Sequence, residues 1–137
     1  MMTEVWEMGS EENAAVIRRG YEAFIAGDMD TLMDQYTEDS VWHVGGSGPL
    51  SGDKKGKDAI LAYFGELASR TNGTLKITLE DVTAGDKYTV GIHTYSAERD
   101  GKSIGQRSVL VFSISGDKVT EVLEMHEDTA KADDFWT

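Results

Sequence analysis

Two hydrophobic periods divide this chain. From Glu11 the apolar positions Val16, Ile17, Tyr21, Phe24 and Ile25 recur at three- and four-residue steps, the spacing of one helix face, with acids in the first turn. Ser10 is the expected cap and Gly27 the expected stop, which leaves residues 1–9 as a frayed arm with Trp6 as its one large apolar anchor. Asp28 caps a second, shorter helix on which Leu32, Met33 and Tyr36 share a face; Thr37 to Ser40 break that pattern, and Val41–Val44 reads as a short strand. The segment 45–52 is too rich in glycine for regular structure and is expected to be a loop or an open hairpin arm bordering an opening. A third helix starts near Lys57, presents Ile60, Leu61, Phe64, Leu67 and Ala68, and is closed by Asn72-Gly73.

Beyond Gly73 the period falls to two. Leu75, Ile77 and Leu79 alternate with Lys76, Thr78 and Glu80 in one strand. Turn residues at 84–87, the tight-hairpin pair Asp100-Gly101 and a turn at 115–118 then separate strands at Tyr88–Arg99, Lys102–Ile114 and Val119–Glu127. Residues 128–137 are left as a tail carrying Phe135 and Trp136. Three helices followed by a four-stranded antiparallel meander make an α+β domain whose sheet buries one face against the helices. Strands this long must bend to do so, and a bent sheet under helices encloses a cone-shaped pocket, the usual setting of a small-molecule site. The 137 residues suffice for one core, so 10–137 is read as a single domain.

Charge and composition narrow the partners. With 25 acidic against 13 basic residues the net charge is -12, which disfavours nucleic acid and anionic membrane. There is no cysteine, hence no disulfide and no thiolate nucleophile or thiolate metal site. The first residues lack the basic and apolar regions of a leader, and no apolar run approaches the roughly 20 residues that cross a bilayer, so a cytoplasmic location is expected.

Several segments together resemble a known family: Ala23-Phe24-Ile25-Ala26-Gly27-Asp28, Tyr36 to Val44, Leu50-Ser51-Gly52 with Gly56-Lys57-Asp58-Ala59-Ile60, Val111 to Val119, and Asp134-Phe135-Trp136. They are similar to the SnoaL-like branch of the NTF2-like superfamily, related to ketosteroid isomerases and polyketide cyclases. The resemblance implies three N-terminal helices on a strongly curved antiparallel sheet around a pocket, and chemistry without a cofactor. It does not carry the ketosteroid isomerase residues over. The general base falls at Val44, and the two oxyanion-hole positions fall near Gly20 and Leu110, none of which can do that work.

Aligning the strands on the same resemblance turns Gly91, His93, Tyr95 and Ala97 inward, with Gln106, Ser108, Leu110 and Phe112, and Val122, Glu124 and His126; Trp42, Val44 and Tyr63 or Phe64 complete the wall. Glu124 and His126 stand two apart on one strand, about 7 Å along it, and share a face, which suits paired acid–base work. The alternative is that both reach solvent at the strand end. His93 either joins that pair or is a core histidine bonded to Tyr95 or Gln106, and the three together could imitate a facial metal triad, although no metal is expected. His43 alternates with Trp42 and Val44 and should face outward. The glycines at 45–48 lack the spacing of a phosphate loop.

The expected function is a cofactor-independent isomerase, cyclase or hydro-lyase acting on a mostly apolar or amphipathic small molecule with a carbonyl or epoxide. Glu124 and His126 would be the acid–base pair. His93, Tyr95 and Gln106 would orient the substrate oxygen, and Trp42, Val44, Tyr63, Ser108, Leu110, Phe112 and Val122 would line the pocket. The alternatives are a hydrophobic-ligand binder without turnover and an association module. Val90, Ile92, Val109 and Val111 on the outer face predict a homodimer.

Overall fold

A computed structural model describes residues 2–137, with side chains from Gly9 onward. The described elements are α1 (Met2–Ala26), α2 (Met29–Met33), β1 (Tyr36–Val44), β2 (Gly52–Lys55), α3 (Lys57–Arg70), β3 (Lys76–Ala84), β4 (Thr89–Arg99), β5 (Lys102–Ser115), β6 (Lys118–His126) and α4 (Thr129–Trp136). The arm expected over residues 1–9 lies, as far as Met8, outside the residues whose side chains are described. Ser10 sits within α1 instead of capping it, because the helix runs on through Gly9 and no proline interrupts it.

The next helix boundary, at Asp28, behaves as the sequence indicates. The N–H of Asp28 bonds to the Ala23 carbonyl as the chain leaves α1, and the Asp28 carboxylate then accepts the Thr31 N–H to start α2. Asp100 and Gly101 both have positive φ, 50° and 79°, the conformation a two-residue hairpin between β4 and β5 requires.

The sheet differs from the expected meander in three respects. It has six strands in the order β2-β1-β6-β5-β4-β3, and β1 runs parallel to β6. The parallel pair arises because the chain leaves β1, crosses through α3 and the whole meander, and returns beside its starting point, a long-range closure that local periodicity does not encode. The second difference is β2, whose Gly52-Asp53-Lys54-Lys55 has no apolar position to betray a strand; it is a polar edge paired antiparallel to β1. Thirdly, the expected tail is helix α4. Asp128 caps it by accepting the Lys131 N–H, and Ala132, Phe135 and Trp136 are buried along one side.

Strand β1 begins at Tyr36, so the helix-breaking run Thr37–Ser40 belongs to the sheet. The register with β6 shifts between Tyr36 and Val41, and Ser40 absorbs the irregularity. Its buried hydroxyl accepts the Thr37 N–H at 2.8 Å and donates to the Val119 carbonyl at 2.6 Å. Further shifts between Leu79 and Asp81 and between Ser113 and Ile114 bend the neighbouring strands. Helix α1 lies on β3 and β4, α3 on β1 and β2, and α4 on β5 and β6, so the concave face is covered from three directions. One apolar core extends from Val16 to Trp136. Among the described residues no helix is long and apolar enough to cross a membrane.

The convex face carries two straight cross-strand rows. One joins Leu123, Val111 and Val90 and the other Met125, Val109 and Ile92, with Leu123 38% and Met125 46% exposed. His43 faces the same side, as its alternation with Trp42 predicts. Its ring bridges Asp53 on β2, at 2.6 Å, and Glu121 on β6, at 2.8 Å, and those two bonds raise its pKa above the ordinary 6.5.

Replacing Ser40 with Ala is expected to strand the Thr37 N–H and the Val119 carbonyl and to cost about 1–3 kcal/mol. Urea unfolding of the two proteins would measure it.

Candidate functional site

The inner wall encloses a cavity of about 100 Å³, room for several water molecules or a compact ligand. Aromatic and aliphatic side chains dominate its lining, and no lysine or arginine contributes to it. Its ionisable groups among the described residues are Glu124, His126, His93, Asp133 and the phenols of Tyr21, Tyr36, Tyr63 and Tyr95.

Glu124 is the organising group. Its inward direction follows from strand alternation: Val122 and Glu124 face in, while Leu123 and Met125 face out. Trp42 Nε1 donates to Oε1 at 2.9 Å, and Tyr63 Oη donates to both carboxylate oxygens, at 2.8 and 3.0 Å. His126 Nε2 stands 3.2 Å from Oε2. Three donors from α3, β1 and β6 therefore converge on one carboxylate. Taking an ion out of water costs several kcal/mol. Charge-assisted hydrogen bonds return roughly 1.5–3 kcal/mol each, so three are enough to keep this one ionised. Burial pushes the Glu124 carboxyl upward, but the bond and charge of His126, with the Tyr63 and Trp42 bonds, outweigh it and hold the group below its ordinary 4.5. Burial, and then the charge of the same carboxylate, push the Tyr63 phenol well up, so it stays a donor.

The other edge of His126 meets Ser108 Oγ at 2.9 Å and, more distantly, Tyr95 Oη at 3.4 Å. The Ser108 hydroxyl is also 3.1 Å from the Met125 carbonyl. It can donate there while accepting from a protonated Nδ1, or turn and donate to a bare one, and so it serves either state of the ring. Tyr95 accepts from Gln106 Nε2 at 2.8 Å, and burial takes its phenol up to about 12.

His93 occupies the β4 side of the cavity, and its partner is neither Tyr95 nor Gln106. Tyr21 Oη on α1 lies 2.7 Å from Nδ1, with the two rings edge to face. Gly91, two residues back on β4, makes the approach possible, because a Cβ there would come within 2.7–3.1 Å of the Tyr21 ring and hydroxyl. Burial lowers the His93 pKa to about 4, although the Glu124 charge works in the opposite direction.

One side of the cavity is closed by the glycine loop and α4. Asp133 accepts the backbone N–H groups of Ser47 and Gly48, at 3.0 and 3.1 Å, and ties the loop to the helix. The loop glycines have a steric reason: a Cβ at Gly46 would sit 2.4 Å from the Asp133 carboxylate, and Gly46 has φ +89°.

Most of the expected wall residues lie on this cavity: Trp42, Val44, Tyr63, His93, Tyr95, Ser108, Leu110, Phe112, Glu124 and His126. Two do not. Val122 is fully buried between its cross-strand neighbours Trp42 and Phe112, whose larger side chains cover it. Gln106 lies behind the wall, where it braces Tyr95 and bonds both the N–H and the carbonyl of Asp128 at the start of α4. Glu124 and His126 face the interior and not solvent at the strand end, with side chains 12% and 8% exposed. Among the described residues no three His, Cys, Asp or Glu side chains are placed to hold a metal ion, and His93 turns its Nδ1 to Tyr21. The three positions aligned with ketosteroid isomerase chemistry, Gly20, Val44 and Leu110, all border the cavity and bring no polar side chain to it. Sequence reasoning missed Tyr21 and Asp133 as site residues. The signal for Tyr21 was the glycine at 91 in the middle of a strand.

A family model described as a SnoaL-like domain matches residues 17–122. An uncharacterised protein of Mycobacterium tuberculosis (strain ATCC 25618 / H37Rv) is 30% identical over 94% of this chain and 99% of its own. Among solved structures, Bal32a from a soil-derived mobile gene cassette is 39% identical, with a TM-score of 0.90 over 93% of this chain and 98% of that one. An NTF2-like protein from Burkholderia xenovorans LB400 has a TM-score of 0.78 at 20% identity, covering 93% and 98%, and bears on the fold alone.

The lowered His93 pKa makes stability fall with acid. Below pH 6.5 the unfolded chain binds a proton on this residue that the folded chain refuses down to about pH 4. Relative to His93→Gln, the native protein is therefore expected to lose stability steadily between those two values, as urea midpoints across the range would show.

Proposed function

We propose, from the premise that the chain belongs to the SnoaL-like domain family, that it is a cofactor-independent acid–base enzyme acting on a small, mostly apolar or amphipathic molecule with a carbonyl or epoxide oxygen. The observation that carries this reading is the ionised Glu124 carboxylate, buried on the wall of an apolar cavity and in contact with an imidazole.

The two carboxylate oxygens are not equivalent. Oε1 takes the shorter bonds, from Trp42 and Tyr63; Oε2 takes the longer ones, from Tyr63 at 3.0 Å and His126 at 3.2 Å. Oε2 is the oxygen with capacity to accept a proton. In this scheme it takes one from the carbon beside the substrate carbonyl, while a donor on the opposite wall, His93, stabilises the oxygen as it gains charge. The proton then returns from Oε2, or from the adjoining Nε2 of His126, to a second carbon or to an oxygen. Returning it to a second carbon gives isomerisation; where the carbanion first adds to a second carbonyl of the same molecule, returning it to the new alkoxide oxygen gives ring closure. Returning it to a departing hydroxyl gives elimination of water. Tyr63 and Trp42 keep the carboxylate fixed throughout, so little reorganisation accompanies the transfer.

A second reading has its own support. Both oxygens of Glu124 accept from protein donors, the pattern of a structural ion pair, and it fits a ligand-binding protein without turnover. Exchange of the α-hydrogens of cyclohexanone in D2O separates the two. The enzyme reading expects catalysed exchange that drops about 100-fold or more in Glu124→Gln with binding retained. Bound ketone whose hydrogens exchange no faster than in buffer would favour the binder.

A second copy of the chain is the proposed partner on the convex face, supported by the two apolar rows across β6, β5 and β4. Leu123→Asp is expected to shift the protein to monomer in sedimentation velocity, with its circular dichroism unchanged.

A further inference from the structure

We infer that Tyr21 sets the tautomer of His93, and that the resulting N–H makes the cavity selective for uncharged ligands with an acceptor oxygen over carboxylates and phosphate esters. The inference deepens the proposed function and rests on the same cavity, but it concerns what is bound and holds whether or not turnover follows.

The tautomer follows from hydrogen-bond accounting. A buried phenol needs an acceptor for its proton, and among the described residues the partner of Tyr21 Oη is His93 Nδ1, at 2.7 Å. If Nδ1 carried the hydrogen and donated to Tyr21, no protein acceptor among the described residues would remain for the phenol proton. Burial also raises the Tyr21 pKa, so that proton stays on the phenol. Nδ1 is therefore the acceptor, and the ring of a neutral histidine carries its hydrogen on Nε2. No protein atom among the described residues accepts from that Nε2–H, yet no side-chain nitrogen or oxygen is both sealed from solvent and unpartnered. Nε2 thus opens on the cavity that His93 lines, although the residue as a whole is only 6% exposed. It is a donor waiting for an acceptor.

Charge supplies the second half of the selection. Neither lysine nor arginine lines the cavity, and its carboxylates, Glu124 and Asp133, are already bonded to protein donors. An anionic ligand would meet Glu124 in a poorly screened interior with no mobile cation to offset it. An ammonium ligand carries no acceptor and would leave the Nε2–H of His93 unpaired. What fits is a neutral molecule whose oxygen accepts from Nε2–H. A neutral imidazole in this position polarises a carbonyl without protonating it, so Tyr21 acts as a positioning residue through His93.

Nitrogen-15 NMR of the histidine side chains tests the tautomer on the full chain with no ligand. The expected spectrum at pH 7 shows the His93 hydrogen on Nε2, and Tyr21→Phe is expected to move the ring toward a mixture of tautomers. Cyclohexanone should then shift the Nε2 resonance, and cyclohexanecarboxylate should bind at least ten times more weakly. In His93→Phe the ketone should lose its advantage over methylcyclohexane while both still bind. A hydrogen on Nδ1, a His93 signal that cyclohexanone leaves unmoved, or a carboxylate that binds as well as the ketone would overturn the inference. Ketone binding with the expected selectivity, but without hydrogen exchange, would sink the enzyme reading and leave this one standing.

Discussion

A single buried negative charge constrains the interior. Glu124 can remain ionised there only because Tyr63 from α3, Trp42 from β1 and His126 from its own strand reach it together. These elements are far apart in the chain, with Trp42 and Glu124 separated by 82 positions. The parallel pairing of β1 with β6 puts the Cα atoms of Val44 and Glu124 opposite one another and Trp42 one step away on the same face. Losing any donor would leave the carboxylate short of compensation, so the placement of α3 over the sheet and the register of the parallel pair are tied to the same group. The site and the closure of the sheet are one structural problem.

The opposite wall is arranged by absence of side chain. Gly91 lets the Tyr21 ring reach over β4 to His93, and the loop glycines let the chain close down on Asp133 of α4. Two imidazoles facing one cavity are thereby made chemically different. One shares a carboxylate; the other is bonded to a phenol and kept neutral by burial. The two rings stand on different strands, β4 and β6, and face one cavity.

Much of the architecture was legible beforehand because it is written in local periods. The change from helical spacing to alternation after Gly73, the Asp28 cap and the Asp100-Gly101 hairpin all reflect nearest-neighbour sterics and hydrogen bonding. Alternation likewise grouped Glu124 with His126 and set His43 apart from Trp42. It went astray where a segment's structure depends on a distant partner. Strand β2 has no apolar pattern and exists because β1 offers it an edge, and α4 was taken for a tail although Asp128 could cap it. Gln106 and Val122 have the right strand parity for the wall, but larger neighbours or a bond to the start of α4 remove them from it.

The sequence alone determined the kinds of elements, their order and which side chains share a face, since φ/ψ preferences and side-chain direction act over a few residues. Only the tertiary structure decided which donors complete the Glu124 cage, that Tyr21 and not Tyr95 or Gln106 bonds His93, and where α4 and the glycine loop meet. Apart from the neighbouring His126, each of those contacts joins positions more than 60 residues apart, and a hydrogen bond between such groups exists only after the whole chain has packed.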